Sequence, residues 1–148
     1  MRYWKSKEVK GEPRIGIGVA SYLVGNPRRV WALRSLVASF QAQTYPWWKI
    51  MIYHDGPADA ASLNIINRMR EEDNRIIFVE TSERRQKFGH PWRQKAIDNL
   101  CSTCQWILLT NDDNWYAPVF LEWLLSAATT RPKPGCVLVY CDMVHSHK

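Results

Sequence analysis

No segment of the chain is apolar over the roughly 20 residues that a bilayer crossing needs. Residues Met1 to Arg14 are charged and lack the apolar centre of a secretory signal. The expectation is a cytoplasmic protein without a transmembrane segment. Cysteine is sparse, limited to Cys101, Cys104, Cys136 and Cys141. A zinc site would need all four as C-x2-C and C-x4-C pairs. The first pair falls late in a predicted helix. The second falls in a predicted strand, where a spacing of five puts its members on opposite faces. A thioredoxin-like role is disfavoured further, because it needs a helix N-terminus to lower the thiol pKa and these cysteines lie near a C-terminus. Reduced, mostly buried thiols are expected instead. Glycine is scarce too, with seven residues and no glycine-rich phosphate loop. Gly25-Asn26-Pro27 is a poor substitute for one, which argues against a nucleotidyltransferase. Gly16-Ile17-Gly18-Val19-Ala20-Ser21 approximates a dinucleotide fingerprint, but its glycines lie inside a strand and not in the turn after it. A nicotinamide or flavin site is therefore not expected.

What the chain does have is aromatic and basic. Eight tryptophans argue for a folded core, since disordered chains are poor in aromatics. A formal net charge of +6 favours anionic partners without choosing among nucleic acid, acidic membrane and nucleotide. The length of 148 residues suits one domain. Residues 1–13 read as a basic leader and residues 14–148 as the domain.

From Arg14 onward strand and helix signals alternate. Strands are expected at 14–21, 48–54, 75–80, 106–110 and 135–144, with helices near 27–43, 58–72, 91–104 and 117–129. In the first strand Ile15, Ile17 and Val19 share one face, and Gly16, Gly18 and Ala20 the other. The small face would admit a helix or ligand closely. The first helix should bury Val30, Leu33, Val37 and Phe40, and the second Leu63, Ile66 and Met69. Strands separated by helices imply an α/β fold with a mainly parallel sheet covered on both faces. Ligands of such sheets bind beyond the carboxyl ends of the strands. The loops after the first, second and fourth strands, carrying Tyr22, Asp55 and Asn111 to Asn114, should meet there.

Each of these loops has a chemical and a plain reading. Asn111-Asp112-Asp113-Asn114 gathers oxygen ligands at a strand tip, suited to Mg²⁺ or Mn²⁺ shared with phosphate oxygens. The same residues would also serve as a polar turn capping the next helix. Asp55, before Gly56-Pro57, is either a base or ribose acceptor or an Asx-turn. No acid interrupts Arg84 to Lys95, where Arg84, Arg85, Lys87, Arg93 and Lys95 form a diphosphate clamp or a solvated basic loop. Arg93 is the member that helix geometry would hold. His145 and His147 are a possible ligand pair or a solvated terminus.

The order of these residues resembles the family 2 glycosyltransferases of GT-A fold, over about residues 14 to 148. Ser21-Tyr22-Leu23 takes the place of the family's Thr-Tyr-Asn-like turn. Ser35-Leu36 through Gln43-Thr44-Tyr45 is similar to its "Ser-Leu-x-x-Gln-Thr-Tyr" phrase, and His54-Asp55-Gly56-Pro57 to Asp-Asp-Gly-Ser. Gly89-His90-Pro91-Trp92-Arg93-Gln94 resembles Gly-x-x-x-Arg-Asn. Asn111 to Pro118 resembles the Asp-x-Asp segment, with Asn111 for the first Asp and Asp113 for the second. The resemblance implies a Rossmann-like α/β/α sandwich, here apparently truncated, that binds a nucleoside diphosphate sugar and transfers the sugar with inversion to an unknown acceptor. Tyr22, Asp55 and Arg93 would hold the nucleotide. Asp113, with Asn111 and Asp112, would hold Mn²⁺ or Mg²⁺. The acceptor site and catalytic base would lie in a later part that this chain does not contain, and Asp142 is not assigned as the base. The alternatives are a non-catalytic nucleotide-sugar-binding module and a basic nucleic-acid-binding domain. The second is disfavoured because the cations cluster in one loop and the leader.

Overall fold

The computed structural model describes residues 15–130. Four strands and four α-helices alternate: β1 (Ile15–Ser21), α1 (Pro27–Gln41), β2 (Trp48–His54), α2 (Ala60–Glu72), β3 (Ile76–Glu80), α3 (His90–Leu100), β4 (Trp106–Asn111) and α4 (Phe120–Thr130). The strands form one sheet in the order β3-β2-β1-β4, and every pairing is parallel. The expected strand at 135–144, the leader, Cys136, Cys141, Asp142, His145 and His147 lie outside the described residues. Among the described residues no helix is long and apolar enough to cross a membrane. Nor do they bring three metal-ligating side chains of the His, Cys, Asp and Glu type together.

The period-two pattern of β1 sorts its residues between two cores. Ile15, Ile17 and Val19 join Ile50 and Ile52 of β2, Val30, Leu33, Val37 and Phe40 of α1, and Leu121 of α4. The other face of the sheet packs Tyr53 against Trp92, Ala96 and Leu100 of α3, with Cys104 beyond. Leu63 is only half-buried. Ser62 takes the buried place beside it, at the N-terminal turn capped by Asp59, while Ile66 and Met69 are buried as expected. Cys101 and Cys104 follow α3, which ends at Leu100.

The small face of β1 is where α3 docks. A Cβ on Gly18 would sit 2.9 Å from Ala96 Cβ, and one on Gly16 would sit 2.9 Å from Cys104 Sγ and 3.0 Å from Leu100 Cδ2. Gly89, immediately before α3, would bring a Cβ within 2.5 Å of Ala20 Cβ, and its φ of +74° also favours glycine. The helix thus descends along β1 in contact at Ala20, Gly18 and Gly16.

Register then fixes the carboxyl edge. Ser21 pairs with His54, Ala20 with Asn111, and His54 with Glu80, so β1, β2 and β4 end at nearly the same height. Strand order reverses at β1, with β2 on one side and β4 on the other, the position where parallel sheets open a crevice. A Gly18→Val substitution should lower stability by about 1–3 kcal/mol, the usual cost of overpacking. Urea denaturation of the variant checks this, and an unchanged midpoint would show that α3 can withdraw from β1 at little cost.

Candidate functional site

At that edge lies a cleft of about 850 Å³. Its walls carry Ser21 at the end of β1 and Tyr22 after it, Arg29 of α1, Asp55 after β2, Arg84 and Gln86 to Gly89 from the loop before α3, His90 and Arg93 of α3, and Asn111 to Asp113 at the end of β4. The residues that the resemblance assigns to nucleotide and metal, Tyr22, Asp55, Arg93, Asn111, Asp112 and Asp113, all line it, as do Arg84 and Lys87 of the basic segment, whereas Arg85 and Lys95 do not. Asn114 does not; its amide turns back to donate to Thr110 Oγ1 at 2.9 Å.

Asp55 is buried and organises the basic loop. Its Oδ1 accepts from the Arg85 amide at 2.7 Å and from Trp92 Nε1 at 2.6 Å, and its Oδ2 from the Gln86 amide at 2.8 Å. An ionised carboxylate offers about four lone-pair sites, so roughly one remains for another donor. The loop that it grips is strained. Gln86, Lys87 and Phe88 all have positive φ, at 59°, 45° and 53°. For L-residues this conformation costs about 1–2 kcal/mol each. The bonds to Asp55 and the 2.8 Å bond from Arg93 Nη1 to Phe88 O hold the chain there. Phe88 is consequently displayed at 91 % exposure in the wall of the cleft.

His54, which replaces an Asp in the family phrase, faces inward and is fully buried. Its Nε2 accepts from the Leu23 amide at 3.0 Å and its Nδ1 lies 2.6 Å from Gly56 O. Both contacts are satisfied together only by the neutral imidazole protonated on Nδ1. His54 therefore shapes the turns on either side of the cleft. Tyr22 stacks on His54, with ring centroids 5.7 Å apart, and carries the Arg84 guanidinium 3.6 Å from its ring centre.

The β4 loop divides its polar residues. Asn111 is exposed, and its Oδ1 accepts from Arg93 Nη2 at 2.6 Å. Asp112 is 3 % exposed and takes hydrogen bonds from Ser21 Oγ at 2.7 Å and from Arg29 Nη1 at 3.0 and 3.2 Å. Asp113 is exposed in the cleft wall. Of the three cleft carboxylates, two are thus bound by protein donors, against the cations Arg29, Arg84, Lys87 and Arg93. Sequence reasoning missed Arg29, Ser21, Gln86 and Trp92. A signal for Arg29 existed: Arg28 and Arg29 stand in the first turn of α1, which has no acid, where the helix dipole disfavours cations.

Comparison with family models matches residues 31–144 to glycosyl transferase family 2. Comparison with curated proteins gives no match. Among solved structures, Staphylococcus aureus TarS is similar with a TM-score of 0.64 and 15% identity, over 79% of this chain and 20% of that one. The TarS 1-349 structure in complex with UDP-GlcNAc gives 0.65 and 15%, over 79% and 31%. The mannosyltransferase PcManGT from Pyrobaculum calidifontis, in complex with GDP-Man and Mn2+, gives 0.50 and 16%, over 72% and 29%. The chain spans about a fifth to a third of the length of these proteins, and at such identities the likeness is one of fold.

Burial raises the Asp55 pKa, but the bonds from Trp92, Arg85 and Gln86 and the Arg84 charge outweigh it and hold the carboxyl below its ordinary 3.8. A depressed folded pKa adds stability that is complete above the unfolded value and is lost as pH falls through the folded one. Asp55 should therefore stabilise the fold above about pH 4 and stop doing so in more acid solution. Asp55→Asn places an amide against at least one of these donors and should cost about 1–3 kcal/mol. Hydrogen exchange at the Arg85 and Gln86 amides should accelerate in the variant. Unchanged exchange there would show that the loop is held by something other than Asp55.

Proposed function

The chain belongs to glycosyl transferase family 2, and from that premise we propose that its cleft binds a nucleoside diphosphate sugar for transfer of the sugar to an acceptor. The observation that carries the reading is the meeting of Asp55, Arg93, Asn111 and Asp113, from the ends of two strands and one helix, in a single cationic cleft. A nucleic-acid-binding surface would call for a basic stripe tracking a backbone. Here the cations Arg29, Arg84, Lys87 and Arg93 instead line a concavity of small-ligand size.

In this proposal Tyr22 and Asp55 flank the base and ribose, Asp55 through the acceptor capacity its protein donors leave. Arg93 stands at the N-terminal end of α3 and reaches both the Phe88 carbonyl and Asn111. That geometry fits it to a diphosphate, which developing negative charge would bind more tightly as the sugar departs. Mg²⁺ commonly binds through one or two carboxylates plus phosphate oxygens and water. The donor set fits such an ion, with Asp113 as the carboxylate and Asn111 as a neutral neighbour, whereas Asp112 is already bound by Arg29 and Ser21. The ion would supply charge neutralisation for the leaving diphosphate. Structural neighbours solved with UDP-GlcNAc and with GDP-Man and Mn2+ support this class of ligand.

Direct displacement with inversion needs a general base at the acceptor hydroxyl. Asp55 and Asp112 are engaged by protein donors and Asp113 is assigned to the ion, so none of the three cleft carboxylates takes that role. Residues 14–148 are in this reading the donor-binding portion, and a cytoplasmic location belongs to the same proposal.

Titration calorimetry with UDP- and GDP-sugars, with and without Mn²⁺, tests the assignment. Asp113→Ala should abolish the Mn²⁺-dependent part of binding, and equal binding by wild type and variant would falsify the metal role. Arg93→Ala should weaken the donor about tenfold, or about 1.4 kcal/mol, with its far-UV circular dichroism intact. Release of labelled sugar separates a transferase from a pure binder, which would saturate without turnover.

A further inference from the structure

Arg29 is a cation of the cleft that the family pattern does not explain. It belongs to the first turn of α1, and its guanidinium reaches Asp112 at the tip of β4. Asp112 is nearly sealed from solvent, and a buried carboxylate costs several kcal/mol unless it is paired. Arg29 and Ser21 supply that pairing, but the geometry of the pair is uneven. A guanidinium often meets a carboxylate with two nitrogens on two oxygens. Here Nη1 alone makes both contacts, at 3.0 and 3.2 Å. Nε and Nη2 have no hydrogen-bond acceptor among the described residues, leaving three of the five guanidinium N–H groups uncommitted. The side chain is 47% exposed and lines the cleft. Arg29 and Arg93 are thus anchored on Asp112 and Asn111, consecutive residues of one loop.

Resting on the donor-binding reading above, we propose that Arg29 is a second guanidinium contact for the donor's diphosphate, and that Asp112 positions Arg29 and is not a metal ligand. Asp112 fixes one nitrogen and so orients the rest of the fork. This also accounts for a cation kept where the α1 dipole opposes it, because the opposing positive field of α1 and the charge of Arg29 would both act on the same bound anion. The neutral Asn111 then costs the site little, since two fixed guanidiniums already face the phosphates.

The test uses inorganic pyrophosphate, UDP and GDP titrated calorimetrically into wild type, Arg29→Ala, Arg29→Lys and Asp112→Asn. Arg29→Ala should weaken pyrophosphate and the preferred nucleotide about tenfold, and flatten the salt dependence of binding. Arg29→Lys should recover part of the loss, since it restores the charge without the fork. Asp112→Asn should weaken pyrophosphate several-fold while Mn²⁺ binding in the presence of nucleotide, read by electron paramagnetic resonance, stays at the wild-type level. Should Asp112→Asn fail to fold, the double variant Arg29→Met with Asp112→Asn removes both charges and should show the same weakened anion binding. Wild-type pyrophosphate affinity in folded Arg29→Ala or in the double variant overturns the proposal, as does loss of Mn²⁺ in Asp112→Asn with pyrophosphate unaffected. A wild type that takes no pyrophosphate overturns it equally. A wild type that binds pyrophosphate through Arg29 but gains nothing from a nucleoside sinks the nucleotide-sugar reading alone.

Discussion

The cleft depends on how closely α3 lies against β1. Gly16, Gly18 and Ala20 leave no side chain larger than a methyl on that face, and Ala96, Leu100 and Gly89 fill the space. This contact delivers Trp92 to Asp55 and Arg93 to Asn111, both from the first turns of the same helix. A helix held farther off by bulkier residues would leave Arg93 short of the β4 loop and Asp55 without its indole donor. The packing of small residues on the sheet and the electrostatics of the site are therefore one constraint.

Within the cleft, buried carboxylates act as internal anchors for groups that face solvent. Asp55 spends itself on two backbone amides and an indole, and so keeps three successive residues in left-handed backbone next to the cleft. Asp59 does something similar on the outer side, accepting from Ser62 N at the start of α2 and from Gly25 N in the β1–α1 loop. Asp112 holds Arg29. The charge that remains accessible is consequently cationic except at Asp113, an arrangement suited to an anion that arrives with at most one cation of its own.

Much of this was legible in the sequence because period two and period 3.6 report burial directly. The alternation in β1 and the spacing of Val30, Leu33, Val37 and Phe40 gave both the sheet and its covering helix. The convergence of three loops followed from parallel topology alone. What sequence could not show is the direction of each polar side chain within its loop. Asp112 and Asp113 are chemically identical neighbours, and only the distant Ser21 and Arg29 decide which is buried. His54 looked like a departure in a binding phrase. Its ring instead satisfies an amide 31 residues away, a contact no local pattern encodes. Helix ends were misjudged by a few residues where capping decided them: Asp59 caps α2, so that helix begins at Ala60 and not at Ala58.

One phrase of the family resemblance, Gln43-Thr44-Tyr45, works through architecture. Gln43 is buried after α1, donates to Ser39 O and Ala117 O, and accepts from the Leu121 amide in the first turn of α4. The Thr44 amide donates to Pro118 O and its hydroxyl to Glu122. Together they tie the end of α1 to the segment that follows the Asn111–Asn114 loop. Tyr116 meanwhile packs on Phe40 and Phe120 and sits 2.6 Å from Thr110 Oγ1, so the loop is fastened at both ends. Asp113 can then stand exposed at a fixed place, because the backbone on either side of it is committed to the core. A short polar loop on a parallel sheet would otherwise be free to move. Here residues remote from the cleft, Gln43 and Tyr116 among them, tie that backbone to the core.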